Sequence, residues 1–330
     1  MPAFALLRAG YPYVTTHGMR RVTSFASDLA FGDEGRLYVV CRTEYGPNIR
    51  KVNLDDEDLG TIDGPFTWPV CIVRDRAENL YVSDEGAHTV SAFTRHGELL
   101  NTFGSLGDEP GQFNRPSGLA FDGDENLYVV DTHNHRVQKF TKDGQFIAQW
   151  GSHGAAPGQF DMPWGISVDS DGAVYVADWR NDRIQKFDAE GRLMMSLGRS
   201  GAANGEFNRP SGVAVDEHGD IIVADRGNNR VQLFDHRGRY VEKFLGDATI
   251  SKMGRVYVLA NLKTLRLREM ADLEPQKLFR APTSVRLSPT GDLYVADQAS
   301  HRLQVYRKEA YVLNADQILP AMNAPTLMTT

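Results

Sequence analysis

Cysteine is scarce in this sequence: Cys41 and Cys71 are the two present in 330 residues. That is too few for a disulfide framework, and their spacing is not that of a zinc site. Both are expected to be small buried hydrophobes. Long apolar runs are missing too. No stretch approaches the ~18 residues of a membrane-spanning helix, and Met1-Pro2-Ala3-Phe4 leads into no basic, apolar, small-residue export signal. The expectation is a cytoplasmic protein with no membrane partner. Positive charge is in deficit: the net charge of −7 repels polyphosphate at long range, which makes nucleic acid an unfavoured partner unless a local basic patch forms. Gly-x-Ser-x-Gly, a phosphate-binding loop and His-Glu-x-x-His are all absent, which removes the commonest catalytic devices readable from sequence. It leaves open a site assembled from residues far apart in the chain.

What the chain does have is a repeat. Pro69, Pro116, Pro163 and Pro210 recur every 47 residues, as do Asp84, Asp131, Asp178 and Asp225 and the glycines Gly104, Gly151 and Gly198. One unit reads Pro-Ser-Gly-Leu-Ala-Phe-Asp (116–122), Asn-Leu-Tyr-Val-Val-Asp (126–131), Arg-Val-Gln-Lys-Phe (136–140) and Gln-Phe-Ile-Ala-Gln-Trp-Gly (145–151). Short apolar or alternating runs rich in Val, Leu, Ile and aromatics, parted by Gly, Asp and Asn, predict four antiparallel strands. One small twisted sheet cannot bury both faces alone, so such units stack side by side as the blades of a β-propeller. The blades fall near 26–68, 69–115, 116–162, 163–209, 210–281 and 282–313, giving an all-β, six-bladed ring in a single domain, 1–330. The sixth needs a fourth strand from elsewhere. Tyr311-Val312-Leu313 or the N-terminal stretch around Phe4-Ala5-Leu6-Leu7 can supply it, and the N-terminal strand is favoured because it protects otherwise open sheet edges.

The motif Asp-x-x-Asn-x-Arg-Val-Gln after the second strand resembles NHL repeats. It stands at Asp131 to Gln138, Asp178 to Gln185 and Asp225 to Gln232, with a weaker copy at Asp297 to Gln304. Blade two carries Thr89 in place of the Arg, and blade one has Cys41 in the Asp position. Repetition in every blade marks Asp131, Asp178, Asp225, Arg136, Arg183 and Arg230 as scaffolding, with Arg bridging Asp and free backbone groups. The blades also resemble those of peptide-amidating lyases, whose zinc histidines would fall at Val70-Cys71, Ser117-Gly118 and Trp164-Gly165; none is His, so no metal is expected there. Calcium-dependent lactonases of a related fold use carboxylate and Asn ligands on the channel, and Glu44, Glu85 and Asn48 imitate that set only if the first two blades bend them inward. His133 and His135 are read as a solvated loop and His88 as a local hydrogen-bond partner.

Specialisation is expected where blades differ inside the repeated frame, on the connectors and the loops between second and third strands at the channel mouth. Those columns collect Arg42, Trp68, Glu85, Arg115, His133, Trp164, Trp179, Arg180, Arg209 and Arg226. Arginine forks and flat indoles suit an anionic or aromatic ligand: a small molecule, or a peptide or protein. Two other readings are a lyase or hydrolase working at the channel mouth and an RNA-binding rim. Catalytic residues and cofactor stay unassigned. Between blades five and six the marker prolines lie 72 residues apart instead of 47. The insertion, 247–271, carries Ile250, Met253, Tyr257, Leu262 and Leu265 as an imperfect helical stripe and meets Pro275 as a stop signal. It predicts a helix laid over the rim, able to cover a pocket.

Overall fold

The computed structural model describes residues 5–43 and 46–313. Blade three shows why these residues make a propeller. Pro116–Phe121, Asn126–Asp131, Arg136–Thr141 and Phe146–Trp150 pair in order as one antiparallel sheet. Successive side chains on a strand point to opposite faces. One set, Leu119, Leu127, Val129 and Phe140, packs on Cys71, Tyr81, Val90 and Ala92 of blade two; the other, Ala120, Tyr128, Val130 and Val137, packs on Ile166, Val174, Val176 and Phe187 of blade four. Both faces of the sheet are therefore buried, and each enclosed Val, Leu or Phe stabilises the stack by roughly 1.5–3 kcal/mol. Six such sheets form the ring, and the inner strand of the last, Pro282–Leu287, lies against that of the first, Asp28–Phe31.

Blade six is completed by Tyr13–His17, which pairs antiparallel with Arg302–Tyr306. This strand lies beyond the stretch around Phe4 to Leu7. Pro12, which has no N–H to offer a ladder, separates the two, and Ala5–Gly10 forms its own two-stranded ribbon with Glu309–Leu313. Phe4 lies outside the described residues.

Three devices stitch neighbouring blades. Asp131 accepts from Asn114 N (2.7 Å), Asn134 Nδ2 (2.8 Å), Arg136 Nε (2.8 Å) and Gln138 Nε2 (3.0 Å). Arg136 in turn donates to the carbonyls of Asp108, Glu109 and Gln112, which pins the connector leaving blade two to blade three. Asp178, Asp225 and Asp297 repeat the clamp with Arg183, Arg230 and Arg302. In blade two, where Thr89 replaces the Arg, Asp84 takes the backbone N–H groups of Thr67, Trp68, Gly86 and Ala87 instead.

The second device is a ring of side-chain bonds to the inner-strand carbonyl of the next blade. Arg42 donates to Pro69 O, Ser83 to Ser117 O, Ser117 to Trp164 O, Ser211 to Pro282 O and Thr283 to Ser27 O. At the step from blade four to blade five the corresponding residue is Trp164, which has no hydroxyl to donate. The third device caps the connectors. His88, His135, Asp182, Asn229 and His301 are held at φ between 52° and 59°. Each accepts, through Nδ1 or Oδ1, the N–H of the residue just before the next blade's opening position: Arg115, Met162, Arg209, Ala281 and Phe25. His88 thus caps the connector into the following blade and is not a local partner.

The insertion differs from a single helix. Lys252–Leu259 (α1) and Leu262–Glu269 (α2) are separated at Asn261, whose backbone is extended. The predicted stripe runs across that break, so it cannot form one apolar face. Pro275 does not act as a stop: it sits in the first turn of a third short helix, Glu274–Lys277, where its missing N–H costs nothing. The first helix leans on the outer edge of the disc, with Met253 N donating to Asp56 of blade one (2.8 Å) and the Arg21 guanidinium 4.7 Å from the Tyr257 ring centre.

Candidate functional site at the channel mouth

Two columns of the repeat build the mouth. The residue after each blade-opening position supplies Ser27, Val70, Trp164, Ser211 and Thr283; the residue after each Asp-marker position supplies Arg42, Trp179, Arg226 and Gln298. Together they line a cavity of about 230 Å³. Below it the channel narrows to a void of about 30 Å³. There Arg286 grips the buried Asp28 through Nε (2.9 Å) and Nη2 (2.5 Å), Ser284 donates to the same carboxylate, and Ile72 N adds a bond of 3.1 Å. Burial pushes the Asp28 carboxyl upward, but Arg286 and the hydrogen bonds outweigh it and hold it below the usual carboxylate range. Arg286 Nη2 also reaches Cys71 Sγ at 3.1 Å. This knot joins blades six, one and two beside the channel under the mouth.

The mouth is cationic and aromatic. Trp164 and Trp179 lie with ring centres 6.1 Å apart and planes inclined at 38°. Arg209 stacks on Trp179 at 5.0 Å from outside, and Arg42 stacks on the half-exposed Trp68 at 4.2 Å. Arg226 holds the buried unmet donor of the group. Its Nε is buried without an acceptor, and its Nη2 reaches only as far as Gln298 Oε1, at 3.5 Å. Burial, and then the like charge of Arg209, lower the affinity of Arg226 for its proton; burial does the same to Arg42. An anion entering here would relieve both costs.

The other sequence candidates stand outside the cavity. Glu85 is buried and ion-pairs with the exposed Arg115 at 3.6 Å; burial pushes its carboxyl up, against the pull of Arg115 and Arg42. His133 and Arg180 hang on backbone bonds from their N–H groups to Asn114 O and Asp161 O, and burial followed by Arg115 lowers the His133 pKa. Asn48 belongs to a separate hollow with Arg20, Arg21 and Arg50, and Glu44 lies outside the described residues. No residue of α1 or α2 lines the mouth, which corrects the expectation of a helical cover: the insertion packs on the disc edge through Asp56 and Arg21. Ser27, Val70, Ser211, Thr283 and Gln298 were not singled out from sequence, although the two columns that place them are legible there.

Among the described residues, His135, His153 and Asp161 bring ligand-type atoms within 4.8 Å of one another. His135 Nδ1 already accepts the Met162 N–H at 3.1 Å, so in the neutral ring the proton sits on Nε2. A metal at Nε2 would require the opposite tautomer and break that cap. The trio is better explained as part of the blade seam.

A family profile for the NHL repeat matches residues 113–140, 160–187, 207–234 and 279–306. Four of the six blades, the third to the sixth, are NHL repeats. No curated protein matches the chain. Among solved structures, the chain is similar to a protein of unknown function from Bacteroides thetaiotaomicron VPI-5482, with 19% identity, 91% of this chain and 72% of the other covered, and a TM-score of 0.63. It is also similar to a catalytically inactive virginiamycin B lyase from Staphylococcus aureus crystallised with quinupristin, with 13% identity, 96% and 87% covered, and a TM-score of 0.58. A chain of a nidogen/laminin complex shares 19% identity over 66% of this chain and 79% of that one, at a TM-score of 0.54. At these identities the likeness is one of fold. No helix among the described residues is long and apolar enough to cross a membrane.

Proposed function

We propose that this propeller is a binding protein whose channel mouth takes an anionic group carried on a flat or apolar frame, as a small molecule or as one residue of a peptide. The observation that carries the reading is Arg226: a half-buried guanidinium whose Nε is enclosed and unmet, facing a cavity walled by Trp164 and Trp179. Arg supplies a charged fork to a carboxylate or phosphate, and the indoles supply a desolvated wall that strengthens the contact. The described lining holds no Asp, Glu, His or Cys, so it offers hydroxyls, an amide and guanidinia, which bind, and no general base, which the lyase or hydrolase reading would need.

Phenyl phosphate and benzoate, titrated while tryptophan fluorescence is followed, test the proposal. Saturable quenching is expected from at least one of them. Arg226→Gln should weaken it at least about tenfold, the scale of one charge-assisted bond, whereas Arg115→Ala, outside the cavity, should leave it unchanged. Absence of binding by both probes, or an Arg226→Gln protein that binds like the parent, would remove the reading.

A further inference from the structure

The exposed face of the insertion between blades five and six has a composition unlike the rest of the surface. In α1 the outward residues are Lys252, Arg255, Val256 and Leu259, at helical spacing i, i+3, i+4, i+7; in α2 they are Leu262, Lys263, Arg266 and Leu267, followed by Met270 just past its end. The five apolar side chains of this set are 59% to 86% exposed. Over residues 252–270 there are five cations and one carboxylate, Glu269, in a chain of net charge −7. The inward side is spent on the disc: Met253 N on Asp56, and Tyr257 under Arg21.

We infer that this helical hairpin is a docking surface for an anionic lipid bilayer, holding the propeller by its outer edge between blades six and one. Apolar side chains interspersed with lysine and arginine on the outward stripe of each helix suit a membrane interface, where the apolar groups enter the acyl boundary and the long cationic side chains bend back to the headgroups. A protein partner is less well matched. Protein interfaces are depleted of Lys and rely on aromatic anchors, and neither outward stripe carries an aromatic residue. Two copies of the chain meeting hairpin to hairpin would oppose like charges. The surface lies apart from the channel mouth, so this inference is independent of the mouth's ligand.

The test is co-sedimentation of the intact chain with vesicles of phosphatidylcholine alone and of phosphatidylcholine mixed with phosphatidylserine. Binding is expected only to the mixed vesicles and should fall as salt is added. Each cation near an anionic surface contributes about fivefold, so Lys263→Glu with Arg266→Glu should reduce binding at least about tenfold. Leu262→Ser with Leu267→Ser should weaken it at low salt as well. All four positions are solvent-facing, and an unchanged thermal melt will show that the ring is intact. Equal pelleting on both vesicle types, no pelleting at all, or full binding by the charge variants would overturn the inference. So would vesicle-independent binding to a poly-glutamate peptide that these same substitutions abolish, which would give the surface to an acidic protein.

Discussion

Replacing Arg136 by Lys keeps the charge and removes the fork. In the native blade the guanidinium makes five bonds, to Asp131 Oδ2, Gln149 Oε1 and the carbonyls of Asp108, Glu109 and Gln112, at 2.6 to 3.0 Å. An ammonium is a point donor and cannot span the carboxylate and the connector at once. If it stays with Asp131, the carbonyls of Asp108 and Glu109 lose the side-chain donor that ties them to the blade. Bonds to a charged group are worth about 1.5–3 kcal/mol each, so losing two costs about 3 to 6 kcal/mol. For a chain of this size that lowers Tm by roughly 4–9 °C. Calorimetry alongside urea unfolding provides the assay, with a shifted midpoint at unchanged slope expected. Arg183→Lys is the internal comparison, because Arg183 makes four such bonds and two of its carbonyl contacts are open to solvent; its loss should be smaller. A melt of Arg136→Lys within about 2 °C of the parent, or an Arg183→Lys protein hurt as much, would refute the view that these arginines act by pinning the connectors.

The connector caps predict a pH dependence. Burial lowers the pKa of His135 and His301 below the ordinary 6.5, and each accepts a backbone N–H at Nδ1, so only the neutral ring fits. Their contribution to stability is complete above the unfolded value and is lost as the pH falls through the lower folded one. His135→Asn with His301→Asn substitutes the non-titrating acceptor that Asn229 already provides for Ala281 N. The loss of Tm between about pH 7 and pH 5 should shrink in the double variant, and an unaltered loss would mean the caps do not titrate. The thiols should be inert: burial pushes Cys41 up to about 12 and Cys71 well above its ordinary value. Native protein should therefore react with an aromatic disulfide reagent far more slowly than protein in denaturant, and rapid native labelling of either cysteine would contradict the packing.

The ring was legible because its cause is periodic. Pro116, Asp131, Arg136 and their copies mark strand ends and loop clamps at fixed spacing, and these local signals agree with the global fold. The caps escaped notice because their column, His88, His135, Asp182, Asn229 and His301, changes identity while keeping one property, a short side chain with an acceptor. The mouth was half legible. Pooling the connector and loop columns gathered Arg42, Trp164, Trp179 and Arg226 together with Arg115, Glu85, His133 and Arg180, which stand outside the cavity. The residue before each blade-opening proline sits at positive φ at Arg115, Met162 and Arg209, and Arg115 and Arg209 stay outside the cavity, while the residue after the proline faces the axis at Val70, Trp164, Ser211 and Thr283. Reading the two separately would have drawn the cavity. The insertion was the least legible part, since Asn261 interrupts a pattern that one helical period seemed to cover.

Closing blade six with Tyr13–His17 has a consequence for biosynthesis. His17 pairs with Leu303, 286 positions later, so a growing chain must carry the Tyr13–His17 strand without a partner until the last blade is translated, about 15 to 60 s at ordinary elongation rates. Through that interval five finished blades exist as an open arc with two raw ends, each able to capture another chain's edge. The yield of usable protein is then governed by how well the cell shields that arc while the ribosome finishes.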